Sequence, residues 1–173
     1  MVQSHDLTPR VVDLETRILL SLYRGILREL KSRGVIRTEN APTGDYAEYL
    51  VALGLGGILA TNSEKGWDVE LPNGDHLQVK ARVVSDPPRK GQLQLSPFRS
   101  FEFDAAVVVL LSDIDLEVVR AVMLPRAVLE ASSAYRSHVN GFVGFATEDV
   151  LNHPSAVELT DCLRDAAAGV SAE

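Results

Sequence analysis

The sequence predicts an α/β or α+β domain built on one central mixed sheet flanked by helices. Three observations carry this. Helical apolar spacing dominates the first third of the chain and ends at glycines, Gly34 and then Gly54, Gly56 and Gly57. A group of short strand-like segments follows, at 58–61, 67–71 and 76–82. Then DAAVVVLL, residues 104–111, is a near-continuous apolar run of the kind found in a strand covered on both faces. Helices, then strands, then mixed short elements is an order that one sheet with helices packed on it accommodates.

The first helix is expected from Thr8-Pro9, a cap with proline at the first helical position, to Gly34. Its stripe runs Leu14, Ile18, Leu22, Ile26 and Leu30, widened by Leu19, Tyr23 and Leu27. A stripe this wide packs on the domain or on a partner chain. Thr43 caps a second helix with Tyr46, Tyr49, Leu50 and Leu53 on its apolar face. The glycines after it follow a helix and precede a strand, the reverse of a dinucleotide loop. Residues 83–99 carry Pro87, Pro88, Gly91 and Pro97 and read as a loop or flap. After the 104–111 strand, SDID turns the chain into a strand over 117–123. Pro125 opens a short helix through Ala131, and 147–152 and 160–168 read as small helices with an edge strand at 157–159 between them. Cys162 falls in the last of these, where a buried structural thiol is expected.

Composition sets limits on class. With 173 residues, 46% hydrophobic and 24% charged, the chain is expected to be one domain: an N-terminal helix over 8–34, a core over 43–131 and an extension over 132–173. One cysteine excludes an internal disulfide and a four-cysteine zinc site. The histidines, His5, His76, His138 and His153, have no ligand spacing. No apolar run approaches the ~20 residues of a membrane span. MVQSHDLTPR has no apolar run behind a basic cap, so a cytoplasmic protein without a secretory signal is expected.

The net charge of −7 conceals a pattern. Residues 44–79 carry net −5 and residues 80–99 net +4, with Lys80, Arg82, Arg89, Lys90 and Arg99 against Asp86. An acidic cluster beside a basic segment suits a site that holds a cation and receives a polyanion; a solvated loop is the plain alternative.

GWDVELPNGDHLQVKAR, residues 66–82, is where chemistry concentrates. Two strands flank PNG. A two-residue turn on Asn73-Gly74 would put Pro72 in the ladder, where it has no N–H to donate. A type I turn centred on Pro72-Asn73, with left-handed Gly74 after it, uses all three residues well. It pairs Leu71 with Asp75 and sets Asp68 opposite Gln78, with Lys80 on the same face. A carboxylate and an amide carbonyl can hold Mg²⁺ (or Mn²⁺) through oxygen. The ion acidifies a bound water, and an adjacent lysine orients that water. Glu48, on the preceding helix, is a candidate second carboxylate.

An aspartate, a hairpin and then Gln-x-Lys, with a glutamate on the helix before, resembles the PD-(D/E)XK nuclease superfamily, the restriction-endonuclease-like fold. GDYAEYL, GWD, QVK and FDAAVVVLL carry the resemblance, over roughly Thr43 to Met123. It implies a Mg²⁺-dependent endonuclease in which Asp68 and Gln78 are metal ligands, Lys80 the catalytic lysine, and Glu48 a further ligand or an outer acid. The family usually has Asp or Glu where Gln78 stands, and Mrr-type enzymes are similar to this chain in having Gln-x-Lys.

Arg82, Arg89, Lys90 and Arg99 are candidate phosphate contacts on DNA. Trp67 either stacks on a base or belongs to the core. Arg136, His138 and Asn140 in YRSHVNG are a polar cluster without an assigned role. The helix over 10–33 is a candidate for homodimerisation or for docking on a larger complex. The alternative to a nuclease is a catalytically inactive member of the same fold, a binding or assembly subunit.

Overall fold

A glycine in the left-handed region ends each of the two long helices near the N-terminus. The computed structural model describes residues 11–12, 14, 16–37, 42–61 and 66–170, and the chain divides into two units, residues 1–42 and 43–173.

In the first unit, helix α1 spans Thr16–Ser32. Gly34, at φ +73°, donates to the Lys31 carbonyl at 3.0 Å, and Val35 donates to the Leu30 carbonyl at 3.0 Å. This Schellman pairing satisfies carbonyls the helix leaves open. The start differs from expectation. Leu14 lies in a bend and donates to the Val11 carbonyl, so the run expected to be one unbroken helix is interrupted there, and α1 begins at Thr16. The β-branched pair Val11-Val12, weak in helices, immediately precedes the bend. Thr8, Pro9 and His5 lie outside the described residues.

The second unit opens with α2, Pro42–Leu55. Proline takes the first helical position, so Thr43 stands in the first turn and is not the cap. The buried face is Ala47, Leu50, Val51 and Ala52; Leu53, expected on it, is exposed. Small residues let the helix axis approach the sheet, and this rotates the face away from Leu53. Gly56, at φ +64°, repeats the Schellman stop, with Gly57 donating to the Ala52 carbonyl at 2.8 Å.

The sheet follows: β1 (Ile58–Leu59), β2 (Val69–Glu70), β3 (His76–Val84), β4 (Ala105–Ser112) and β5 (Val118–Pro125). Next come α3 (Arg126–Ser132), β6 (Ala134–Arg136), β7 (Gly141–Val143), α4 (Glu148–Leu151), β8 (Val157–Glu158) and α5 (Thr160–Val170). Six strands lie in the order β1-β2-β3-β4-β5-β8. The β3–β4 pair is parallel, Leu77 beside Ala105 through Val84 beside Ser112, and the other neighbours are antiparallel. The class is α+β with a mixed sheet and helices packed on it.

Strand β4 explains the two cores. Val107, Val109 and Leu111 pack with Ala47, Leu50 and Val51 of α2 and Leu163 of α5. Ala106, Val108 and Leu110 pack with Leu95, Phe98, Phe103, Leu129 and Leu151. Side chains alternate across the sheet, so an unbroken apolar run supplies both faces.

Two stretches correct the sequence reading. Residues 83–99 are not a free flap: Val83 and Val84 extend β3, Lys90–Leu93 is a 3-10 turn, and Leu95 and Phe98 are fully buried. Arg136, His138 and Asn140, to which the sequence assigns no element, fall in the β6–β7 hairpin, closed by left-handed Asn140 at φ +46°. Residues 132–173 contribute β8 to the sheet edge and Leu159 and Leu163 to the core. Among the described residues no helix is long and apolar enough to cross a membrane.

Candidate active site

The hairpin of β2 and β3 places the site. Gly74, at φ +89°, donates to the Leu71 carbonyl at 2.9 Å, and Leu71 donates to Asp75 at 2.9 Å. Asn73 also accepts from the Asp75 N–H at 3.1 Å. This is the turn that Pro72, Asn73 and Gly74 favour, and it runs the register that sets Asp68 beside Gln78.

Asp68 stands where the β2 ladder turns irregular. Its N–H donates to the Leu77 carbonyl and its own carbonyl accepts from Ala60, each at 2.8 Å. Its Oδ2 accepts the Val79 main-chain N–H at 2.7 Å and also the Gln78 side-chain amide. The carboxylate thus takes over a ladder position on β3.

Lys80 is two residues further along that face and is buried, 8% exposed. Its Nζ donates to the Pro97 carbonyl at 3.4 Å and lies 4.7 Å from the centroid of the Phe98 ring. Burial lowers the proton affinity of this amine. The carboxylates of Asp68 and Glu48 pull it back up, and the Arg99 guanidinium lowers it further. Glu48, half-buried on α2, therefore acts on Lys80 through the field of its charge.

The structure brings Asp68 and Gln78 into contact, and the charges of Asp68 and Glu48 both act on Lys80. Of the other four cations Arg99 is near enough to act on Lys80, while Arg82, Arg89 and Lys90 have surroundings of their own. Arg82 is half-buried and donates to the Gln92 carbonyl at 3.0 Å. Arg89 and Lys90 are exposed at the 3-10 turn. Lys90 lines a cavity of about 410 Å³ with Leu93, Ser132, Phe145, Thr147, Asp149 and Val150. Arg99 donates to the carbonyls of Val139 and Asn140, the latter at 2.8 Å. Trp67 is half-buried, stacks on the His76 ring at 4.2 Å and packs against the second core. Cys162 is half-buried, and its thiol donates to the Gly54 carbonyl at 3.2 Å.

Sequence reasoning missed Pro97 and Phe98, which cover Lys80. The signal was the spacing of Phe98, Phe101 and Phe103 in SPFRSFEF, an aromatic run too dense for a solvated loop.

Among the described residues no three His, Cys, Asp or Glu side chains form a metal-binding group. The donor set of Asp68, Gln78 and Glu48 has two carboxylates and an amide carbonyl. All are hard oxygen donors of the kind Mg²⁺ accepts while keeping several waters, so the residues fit that ion. No protein-family model matches the chain, and no curated protein matches it.

Proposed function

We propose that this chain is a metal-dependent nuclease of the PD-(D/E)XK type that hydrolyses phosphodiester bonds, in DNA rather than RNA. The observation that supports it best is the contact of Asp68 with Gln78 beside a buried lysine on the same strand. Asp68, Gln78 and Glu48 would hold Mg²⁺ or Mn²⁺. The ion, when bound, acidifies water and offsets charge on the phosphate oxygens.

The chain's own residues do the rest. Asp68, fixed by the Val79 N–H, holds its carboxylate at a set position on the strand. Lys80, on the same face of β3 as Gln78, orients the attacking water and sets positive charge beside the phosphate, and the water's proton passes to solvent. The water oxygen bonds to phosphorus as one P–O ester bond breaks, and the leaving oxygen is protonated from solvent. Arg82, Arg89, Lys90 and Arg99 are proposed as phosphate contacts around it. The reading further places the protein in the cytoplasm, paired with a second copy or docked on a larger complex through α1.

The test is cleavage of plasmid DNA in Mg²⁺ or Mn²⁺. Wild-type protein should cut; Lys80→Ala and Asp68→Asn should not, while retaining the wild-type circular dichroism spectrum. Cutting that persists in Lys80→Ala defeats the role of the lysine.

A second reading has its own observation. Gln78 turns its amide nitrogen, a donor, to Asp68, an arrangement that a metal-free protein satisfies unaided. It favours an inactive fold member serving as a binding or assembly subunit. Calorimetric titration with Mn²⁺ separates the two: heat that depends on Asp68 supports the nuclease.

A further inference from the structure

The β6–β7 hairpin is joined to the very residues that cover Lys80. Phe98 and Phe142 exchange main-chain hydrogen bonds, each 2.9 Å. A Cβ on Gly141 would lie 2.8 Å from the Phe98 carbonyl oxygen, so glycine there permits the approach. The Phe142 ring lies 5.0 Å from Phe101 and 5.4 Å from Tyr135, centroid to centroid. Arg99, one residue beyond Phe98, bonds the Val139 and Asn140 carbonyls in the hairpin turn. Arg99, whose charge reaches Lys80, thus lies against the hairpin whose strand β6 ends at Arg136 and whose turn holds His138.

The outer side of this hairpin is occupied differently from the rest of the segment. Residues 100–173 carry twelve acidic groups and four arginines. Arg120 and Arg164 are engaged in ion pairs. Arg136 and His138 are exposed, and neither side chain makes a hydrogen bond or ion pair among the described residues. Tyr135, 54% exposed, packs its ring edge-on to Phe142, and its hydroxyl donates to Asn140 Oδ1 at 3.1 Å. An exposed, unpaired arginine beside Arg99, in a segment otherwise acidic, suits a phosphate of a sugar-phosphate backbone.

We infer that the 134–143 hairpin is a DNA-backbone-binding element, in which exposed Arg136, with His138 as a hydrogen-bonding neighbour in the turn, extends the positive charge of Arg99. The inference rests on the nuclease reading for its choice of DNA, and it is tested without cleavage. Fluorescence anisotropy of a fluorescein-labelled 20-base-pair duplex, in EDTA and across a range of salt, reads binding alone. Arg136→Ala should weaken binding about fivefold on any sequence and make the plot of log K against log salt shallower by about 0.9. Arg136→Glu should weaken it further, and Arg136→Lys should keep most of it. Arg136→Ala/His138→Ala should lose more than either alone. Unchanged affinity and slope in Arg136→Ala would falsify the assignment. So would no duplex binding by the wild-type protein, or binding only to a single-stranded RNA of equal length. Plasmid cleavage in Mn²⁺, run in parallel, reports on the nuclease separately: binding without cutting removes the activity and leaves the hairpin's role standing.

Discussion

The ammonium of Lys80 rests 4.7 Å from the centroid of the Phe98 ring. The ring offers its negative face and the Pro97 carbonyl accepts one proton, yet water is almost excluded. A group so placed destabilises the fold that holds it, because a charged amine gives up hydration that one carbonyl and one ring replace only in part. Lys80→Met should therefore raise stability by about 1 kcal/mol at neutral pH, or about 2–4 °C in melting temperature. Cleavage should vanish in the same variant. A melting temperature that falls would mean that Asp68 and Glu48 stabilise the ammonium more than burial opposes it.

Asp68 has a structural task apart from chemistry. Its Oδ2 is the acceptor for the Val79 N–H at 2.7 Å. Asp68→Ala leaves that half-buried donor unsatisfied and should lower stability by about 2 kcal/mol. Asp68→Asn keeps an oxygen for Val79 and should lose under half as much, while losing the Mn²⁺ heat in calorimetry. Chemical denaturation distinguishes the two variants. Equal losses would show that charge rather than the acceptor oxygen matters there.

Arg120 ties two late elements, α4 with its C-cap and β8, to β5. It pairs with Glu148 at 3.2 Å and Glu158 at 3.5 Å, and donates to the Leu151 carbonyl at 3.1 Å and to Asn152 Oδ1 at 2.7 Å. Arg120→Ala should lose about 1–2 kcal/mol, mainly from the stranded Leu151 carbonyl, since the exposed Glu148 carboxylate stays solvated. Arg120→Lys should recover only part, since one ammonium cannot reproduce the forked geometry. Hydrogen exchange should quicken at α4 and β8 before it does at β4.

Burial holds the phenol of Tyr46 above its ordinary value of 10.0. Above pH 10 the unfolded chain loses this proton first, so the folded state binds more protons and stability falls as pH rises through that window. Below pH 10 the residue has no effect on pH dependence. Tyr46→Phe should lessen the alkaline loss, and the 295 nm titration difference between wild type and variant should rise above pH 10. A difference centred at or below 10 would contradict the burial.

Much of this protein is set by near neighbours along the chain. Pro72, Asn73 and Gly74 select a turn, the turn selects a register, and the register puts Asp68 beside Gln78. Gly34 and Gly56 stop helices because each takes a positive φ that side chains resist. The apolar run of β4 announces a strand with two covered faces. These are short-range effects of backbone sterics and side-chain period, which a reader of residues in order can follow. What covers Lys80 is of another kind. Phe98 reaches it only because Phe142 hydrogen-bonds Phe98 from far along the chain, and the β6–β7 hairpin that presents Phe142 has no strong local signal. The rotation of α2 that exposes Leu53 likewise depends on what the sheet offers Ala47 and Val51. Such contacts are chosen by packing between distant segments, so only the folded chain decides them.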